Sequence, residues 1–158
     1  MTERKKLPAF IALGLVLIVV AAVALDYWGY VKSAMYTDVE VQIMGFTPAD
    51  STMYLSFKYT NPRGVRVTVL ETPYSVMLNG VALTTDTIAG PITVVGVTPQ
   101  IVERTLTLPP TSGTHIQAAR TGRVWEWEFK GAMRIETMLG DTRIDFSDTY
   151  KFVPLFPP

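Results

Sequence analysis

Met53-Tyr-Leu-Ser-Phe-Lys-Tyr-Thr60 alternates apolar and polar residues, Asn61-Pro62-Arg63-Gly64 turns the chain, and Val65, Val67 and Val69 resume the alternation. Pro73 breaks the run and restarts the chain, and Tyr74-Ser-Val-Met-Leu78 then alternates again up to Asn79-Gly80. A period of two is the signature of a strand with one buried face. Proline at the second turn position fixes φ, and glycine supplies positive φ, so residues 61–64 predict a turn between strands. Asn-Gly between two alternating runs predicts a tight hairpin, with Val81 to Leu83 returning. The stretch 53–83 therefore reads as strand, turn, strand, hairpin.

The same pattern continues on both sides. Val39, Val41 and Ile43 alternate with Glu40 and Gln42. After Gly90-Pro91, Ile92 to Val97 reads as a short apolar strand, Pro99 separates it from Ile101–Leu108, and Pro109-Pro110 ends that run. Thr111-Ser112-Gly113-Thr114 offers hydroxyl caps and Gly122 a stop, so residues 115–120 predict one short helix. Val124 to Met138 is a long strand with Trp125, Trp127 and Phe129 on one face. A last strand through Ile144 and Phe146 resumes at Tyr150 and Phe152. Seven or eight antiparallel strands with one helix predict an immunoglobulin-like β-sandwich over residues 39–153.

Leu7 to Leu25 carries no charge, and at 1.5 Å per residue such a helix spans about 28 Å, the thickness of a bilayer core. Arg4, Lys5 and Lys6 precede it and only Lys32 follows closely, so the positive-inside rule places residues 1–6 in the cytoplasm. Tyr27, Trp28 and Tyr30 suit the headgroup region beyond it. The expected plan is a single-pass protein of the cell membrane with the lipid bilayer as a partner, residues 26–38 connecting the span to an extracytoplasmic body. Ala22-Val23-Ala24 also fits a signal-peptide cleavage site, but the apolar run exceeds the usual core of such peptides.

Composition narrows the chemistry. The chain has 14 basic and 14 acidic residues, one histidine and no cysteine. Nucleic acid demands a concentrated basic surface, which is missing here. Multi-histidine and thiolate zinc sites are ruled out. No elbow-like motif surrounds a serine that could pair with His115 for nucleophilic catalysis. Glu136, Asp141, Asp145 and Asp148 lack the ligand alternation and central glycine of a calcium loop. Trp125 and Trp127 at i and i+2 read as one layer of core rather than a stacking platform. Val102, Leu106 and Leu108 share a face, and Arg104 lies on that face near a rim or groove. Catalytic residues, a metal site and a cofactor are not expected.

Asn61-Pro62 at the end of a strand, Tyr74-x-Val76-x-Leu78-Asn79-Gly80-x-x-Leu83 after it, a strand Val102–Leu108 ending in proline, a short helix and Trp125–Gly131 follow in order. Together they resemble the late-embryogenesis-abundant group 2 family, also called the water-stress and hypersensitive-response (WHy) domain. The resemblance covers Val39 to Phe152 and makes Asn61, Pro62, Tyr74, Asn79 and Gly80 signature scaffold residues. Many members carry a second asparagine after Asn-Pro, where Arg63 stands here. The family implies a seven-stranded sandwich with one helix, no enzymatic activity, and a part in desiccation, cold or defence responses; some members are membrane-anchored. A lipid groove suggested for related domains makes Arg104 a candidate groove residue. Alternatives are a lipid-transfer domain, an accessory subunit docking other membrane-complex subunits through the Pro-rich tail 154–158, and a surface-filament subunit, which Leu7 after Lys5-Lys6 disfavours.

Overall fold

A computed structural model of the chain describes residues 6–122, 125–137 and 140–152. Helix α1 (Lys6–Ala34) precedes strands β1 (Asp38–Thr47), β2 (Thr52–Thr60), β3 (Arg66–Leu78), β4 (Val81–Val95) and β5 (Gln100–Thr107). A 3-10 turn (Pro110–Ser112), helix α2 (Gly113–Gly122) and strands β6 (Trp125–Thr137) and β7 (Gly140–Phe152) complete it. The tail 153–158, with the docking surface expected of it, and residues 123–124 and 138–139 at the ends of the long strand lie outside the described residues.

The strands form two antiparallel sheets, ordered β1-β2-β5 and β4-β3-β6-β7. The buried faces follow from the alternation. Met53, Leu55, Phe57 and Tyr59 of β2 meet Val67, Val69, Tyr74, Val76 and Leu78 of β3 and Trp127, Phe129, Met133 and Ile135 of β6 in one core. Each large apolar side chain fully buried contributes about 1.5–3 kcal/mol, so this face dominates stability. Ile116 and Ala119 of α2 are buried at the end of the sandwich where β6 begins. Phe46 packs there against both Trp125 and Trp127, with ring centroids 5.9 and 5.4 Å away.

Two expected breaks are continuous strand. Pro73 lies inside β3 and Gly90-Pro91 inside β4. The β3–β6 ladder pairs Glu71 with Arg134 and next Tyr74 with Gly131, skipping Thr72 and Pro73, so the missing proline N–H breaks no bond there. Between β3 and β4 the register passes from Val69–Ile92 to Glu71–Ala89, a bulge that sets Gly90 and the cis-linked Pro91 against Leu70. A Cβ on Gly90 would lie 2.4 Å from the Val69 carbonyl oxygen, so only glycine fits that approach. Ile92 to Val95 thus continues β4 rather than forming a strand of its own.

Helix α1 also continues past Leu25, to Ala34, taking in most of the expected connector. It is apolar on every side, and Ile11 to Leu25 stand almost wholly exposed. A soluble core helix would bury a stripe. Tyr27 and Tyr30 are half-buried, and Ala34 is buried in the sandwich core.

Candidate functional site

Three places bring polar groups together: the end of the sandwich that receives α1, the β4/β5 side where the sheets approach each other, and the outer face of the four-stranded sheet.

At the first, Asn61 is fully buried and every polar group it carries is bonded. Its Nδ2 donates to the Ser33 carbonyl (3.2 Å) and to Thr37 Oγ1 (2.9 Å), while its Oδ1 accepts the Arg63 N–H at 2.9 Å. Its backbone N–H donates to the Gly96 carbonyl and its carbonyl accepts the Gly64 N–H. A helix leaves its last carbonyls without partners. Here Thr37 Oγ1 donates to Ala34 O at 2.7 Å and Asn61 serves Ser33, so the signature turn is also the cap of α1. The chemistry needs an amide, because aspartate has no donor and serine only one.

Nearby, Tyr30 Oη donates to the Arg66 carbonyl and Tyr27 Oη lies 3.3 Å from Thr137 Oγ1. The Arg63 guanidinium stands 4.3 Å from the centroid of the Tyr36 ring. Such an exposed cation–π contact is worth about 0.5–1 kcal/mol. Pro62 is exposed at the turn. Between α1 and the sandwich, Ala22, Val23, Asp26, Tyr27, Thr68 and Glu136 border an open cleft.

On the β4/β5 side Arg104 is half-exposed at the rim and donates through Nε to Asp86 Oδ2 at 2.9 Å. Tyr74 Oη donates to the same carboxylate from β3, at 3.2 Å. The bridge joins the two sheets across their edge strands β4 and β5. Its hydrogen bond from Arg104 holds the Asp86 carboxyl below the usual range, and burial with the Asp86 charge pushes the Tyr74 hydroxyl up. The opposite side has its own tie: Asp148 of β7 accepts the Val41 N–H of edge strand β1 at 2.8 Å. Burial raises the Asp148 pKa.

The outer face of the four-stranded sheet carries a shallow trough of about 1100 Å3 among Pro73, Ser75, Thr87, Lys130, Arg143 and Asp145. It is open and mixed in charge.

The remaining sequence candidates are dispersed. His115 is exposed on α2. Asp141 pairs with Arg134, and Asp145 with its neighbour Arg143. Among the described residues no group of three or more His, Asp or Glu is placed to hold a metal ion. Asn79 and Gly80 adopt positive φ of 50° and 80°, as a tight hairpin requires. The Asn79 side chain also accepts the Glu126 N–H at 2.9 Å, tying the hairpin to the start of β6. Ser33, Thr37 and Asp86 gave no sequence signal, and Asp148 drew notice only as a member of an acidic cluster, because each is defined by a partner distant along the chain.

No protein-family model and no curated protein sequence matches the chain. Solved structures do. A protein from Archaeoglobus fulgidus is 17% identical, with a TM-score of 0.54 over 76% of this chain and 98% of its own. An Arabidopsis thaliana protein solved in solution is 12% identical, with a TM-score of 0.59 over 73% of this chain and 78% of that one. A third, described as a late embryogenesis abundant (LEA) protein, is 12% identical, with a TM-score of 0.53 over 89% of this chain and 86% of that one. At these identities the likeness is one of fold: the chain is similar to proteins that share the sandwich of an LEA protein.

Proposed function

We propose that the chain is a single-pass membrane protein that displays a WHy-type sandwich on the outer side of the membrane as a non-catalytic module for stress, above all desiccation, protection. One observation carries the reading: an apolar helix exposed over Ile11–Leu25 whose last turn is locked to the sandwich by Asn61. A helix long enough to cross a bilayer thereby presents the domain at the surface in a fixed pose. Arg4, Lys5 and Lys6 support a cytoplasmic N-terminus. The LEA fold supports the protective role, and the dispersal of His115 and the carboxylates supports binding without turnover.

Protease treatment of intact cells tests the topology. The sandwich is expected to be digested while a cytosolic control survives; a protected sandwich beside a digested outer-surface control would reverse the orientation. Vesicles carrying the full chain are expected to keep an enclosed dye through drying and rehydration better than empty vesicles. Equal leakage would remove the protective role.

A further inference from the structure

Beyond α1, eight large apolar side chains of described residues are exposed, and five of them, Met35, Tyr36, Val95, Val97 and Ile101, cluster at one end of the sandwich. It is the end that receives α1. The register places it: Arg66 pairs with Val95 and Tyr59 with Gln100, while the Gly96 carbonyl is bonded to Asn61 beside Ser33. The other three, Met44, Tyr54 and Val81, lie toward the far end, with Thr111 and α2.

The charges divide the same way. Lys58, Arg104, Lys130, Arg134, Arg143 and Lys151 are each paired with a carboxylate. Among the basic residues whose side chains are described, Lys32, Arg63, Arg66 and Arg120 have no such partner. The first three stand at the α1 end. Among the described residues, three carboxylates at this end also lack an ion-pair partner, Asp26 and Glu136 bordering the cleft along α1 and Asp38 exposed at the start of β1, while Asp141 is held by Arg134. Charged side chains free of ion pairs, mixed with exposed aliphatic and tyrosine side chains and continuous with a membrane-length helix, match the polarity of a phospholipid headgroup layer, whose phosphates Lys32, Arg63 and Arg66 can meet.

We infer that this end of the sandwich rests on the phospholipid surface of the bilayer that α1 crosses. Lys32, Arg63 and Arg66 meet headgroup phosphates, and Met35, Tyr36, Val95 and Val97 lie in the same headgroup layer. The inference rests on the anchor reading above and adds the lipid surface as the partner of the domain itself. The clasp at Asn61 holds the domain low on the membrane, where a stalk would have let it stand free.

The absence of cysteine makes single-site labelling direct. Spin labels on Ile18→Cys, Val97→Cys and Thr111→Cys are read for access to oxygen and to a water-soluble nickel relaxant. The full chain is placed in vesicles of equal parts zwitterionic and anionic phospholipid. The label at 18 is expected at acyl-chain depth, that at 97 in the headgroup region, and that at 111 in water. Replacing both Arg63 and Arg66 with Gln in the Val97→Cys chain should lower the docked-to-undocked ratio about fivefold per arginine, as a basic residue at an anionic surface contributes. A label at 97 as open to nickel as that at 111, with 18 still buried, overturns the docking and leaves the anchor standing. An aqueous label at 18 overturns both. An unchanged ratio in the double variant overturns the phosphate contact.

Discussion

The side-chain amide of Asn61 donates to the carbonyl of Ser33 at 3.2 Å, so a residue of the turn after β2 closes the last turn of a helix that ends before β1 begins. Asn61→Ala would strip bonds from the Ser33 carbonyl, Thr37 hydroxyl and Arg63 N–H at a fully buried position. Each buried group left unpaired costs about 1–3 kcal/mol, and partial hydration brings the expected total to about 2–4 kcal/mol. Asn61→Asp should cost nearly as much, because it removes both donors. Pro62→Ala, at the exposed neighbouring position, should stay within about 1 kcal/mol. Denaturant unfolding of the full chain in detergent, followed by tryptophan fluorescence, checks the order.

Tyr59 Oη donates to Thr72 Oγ1 at 3.1 Å, with both residues fully buried. Tyr59→Phe leaves the Thr72 hydroxyl without that donor and is expected to cost about 1–2 kcal/mol. Burial pushes the Tyr59 hydroxyl from 10.0 up to about 12. A raised folded pKa gives stability that is complete below the unfolded value and lost as pH rises through the folded one. The wild-type chain should therefore weaken between about pH 10 and 12, and Tyr59→Phe should weaken less steeply there. Unfolding midpoints across that range provide the comparison.

Asp86 and Asp148 should respond to acid in opposite directions. The Asp86 pKa is lowered by Arg104 from 3.8, so its contribution is present above that value and lost as pH falls through the folded one. The pair is exposed enough for solvent screening to hold it to about 0–1 kcal/mol, and salt should reduce it further. The Asp148 pKa is raised from 3.8 by burial, so its contribution is complete below that value and is lost as pH rises. Asp148→Asn keeps an acceptor for the Val41 N–H and should leave stability at neutral pH equal or higher. Asp86→Asn should lower it and flatten the acid limb. A fall in neutral stability for Asp148→Asn would show that its charge is needed by β1.

Gly131 pairs with Tyr74 on one side and Phe146 on the other, and a Cβ there would lie 2.5 Å from the Pro73 carbonyl oxygen and 2.6 Å from the Phe146 ring. Overpacking of this kind costs about 1–3 kcal/mol, and Gly131→Ala should fall at the upper end because one obstacle is backbone. Adding Phe146→Leu should recover only part of the loss. Full recovery in the double variant would mean that β3 yields at Pro73.

The strands could be read from the chain because each carries its buried face in its own alternation. Residues 53–59, 74–78 and 125–129 needed no neighbour to declare which side faces the core. Pro73 and Gly90-Pro91 misled because proline marks a lost donor, and only the partner strand shows whether a bond was due there. The outward-facing residues were legible only by type. Arg104 was placed on the inner face near a rim; that Asp86 and Tyr74 hold it there depends on which strands become neighbours across the sandwich.

The sequence by itself determined a helix able to span a membrane, a sandwich built on period-two strands, and tight turns at Asn61-Pro62 and Asn79-Gly80, since all of these follow from local hydropathy and backbone preference. Only the tertiary structure decided that Asn61 clasps α1, that Asp86 and Asp148 tie opposite sides of the two sheets, and that unpaired cations gather where α1 ends. Those bonds join residues far apart in the chain, and their geometry exists only once the sheets have stacked.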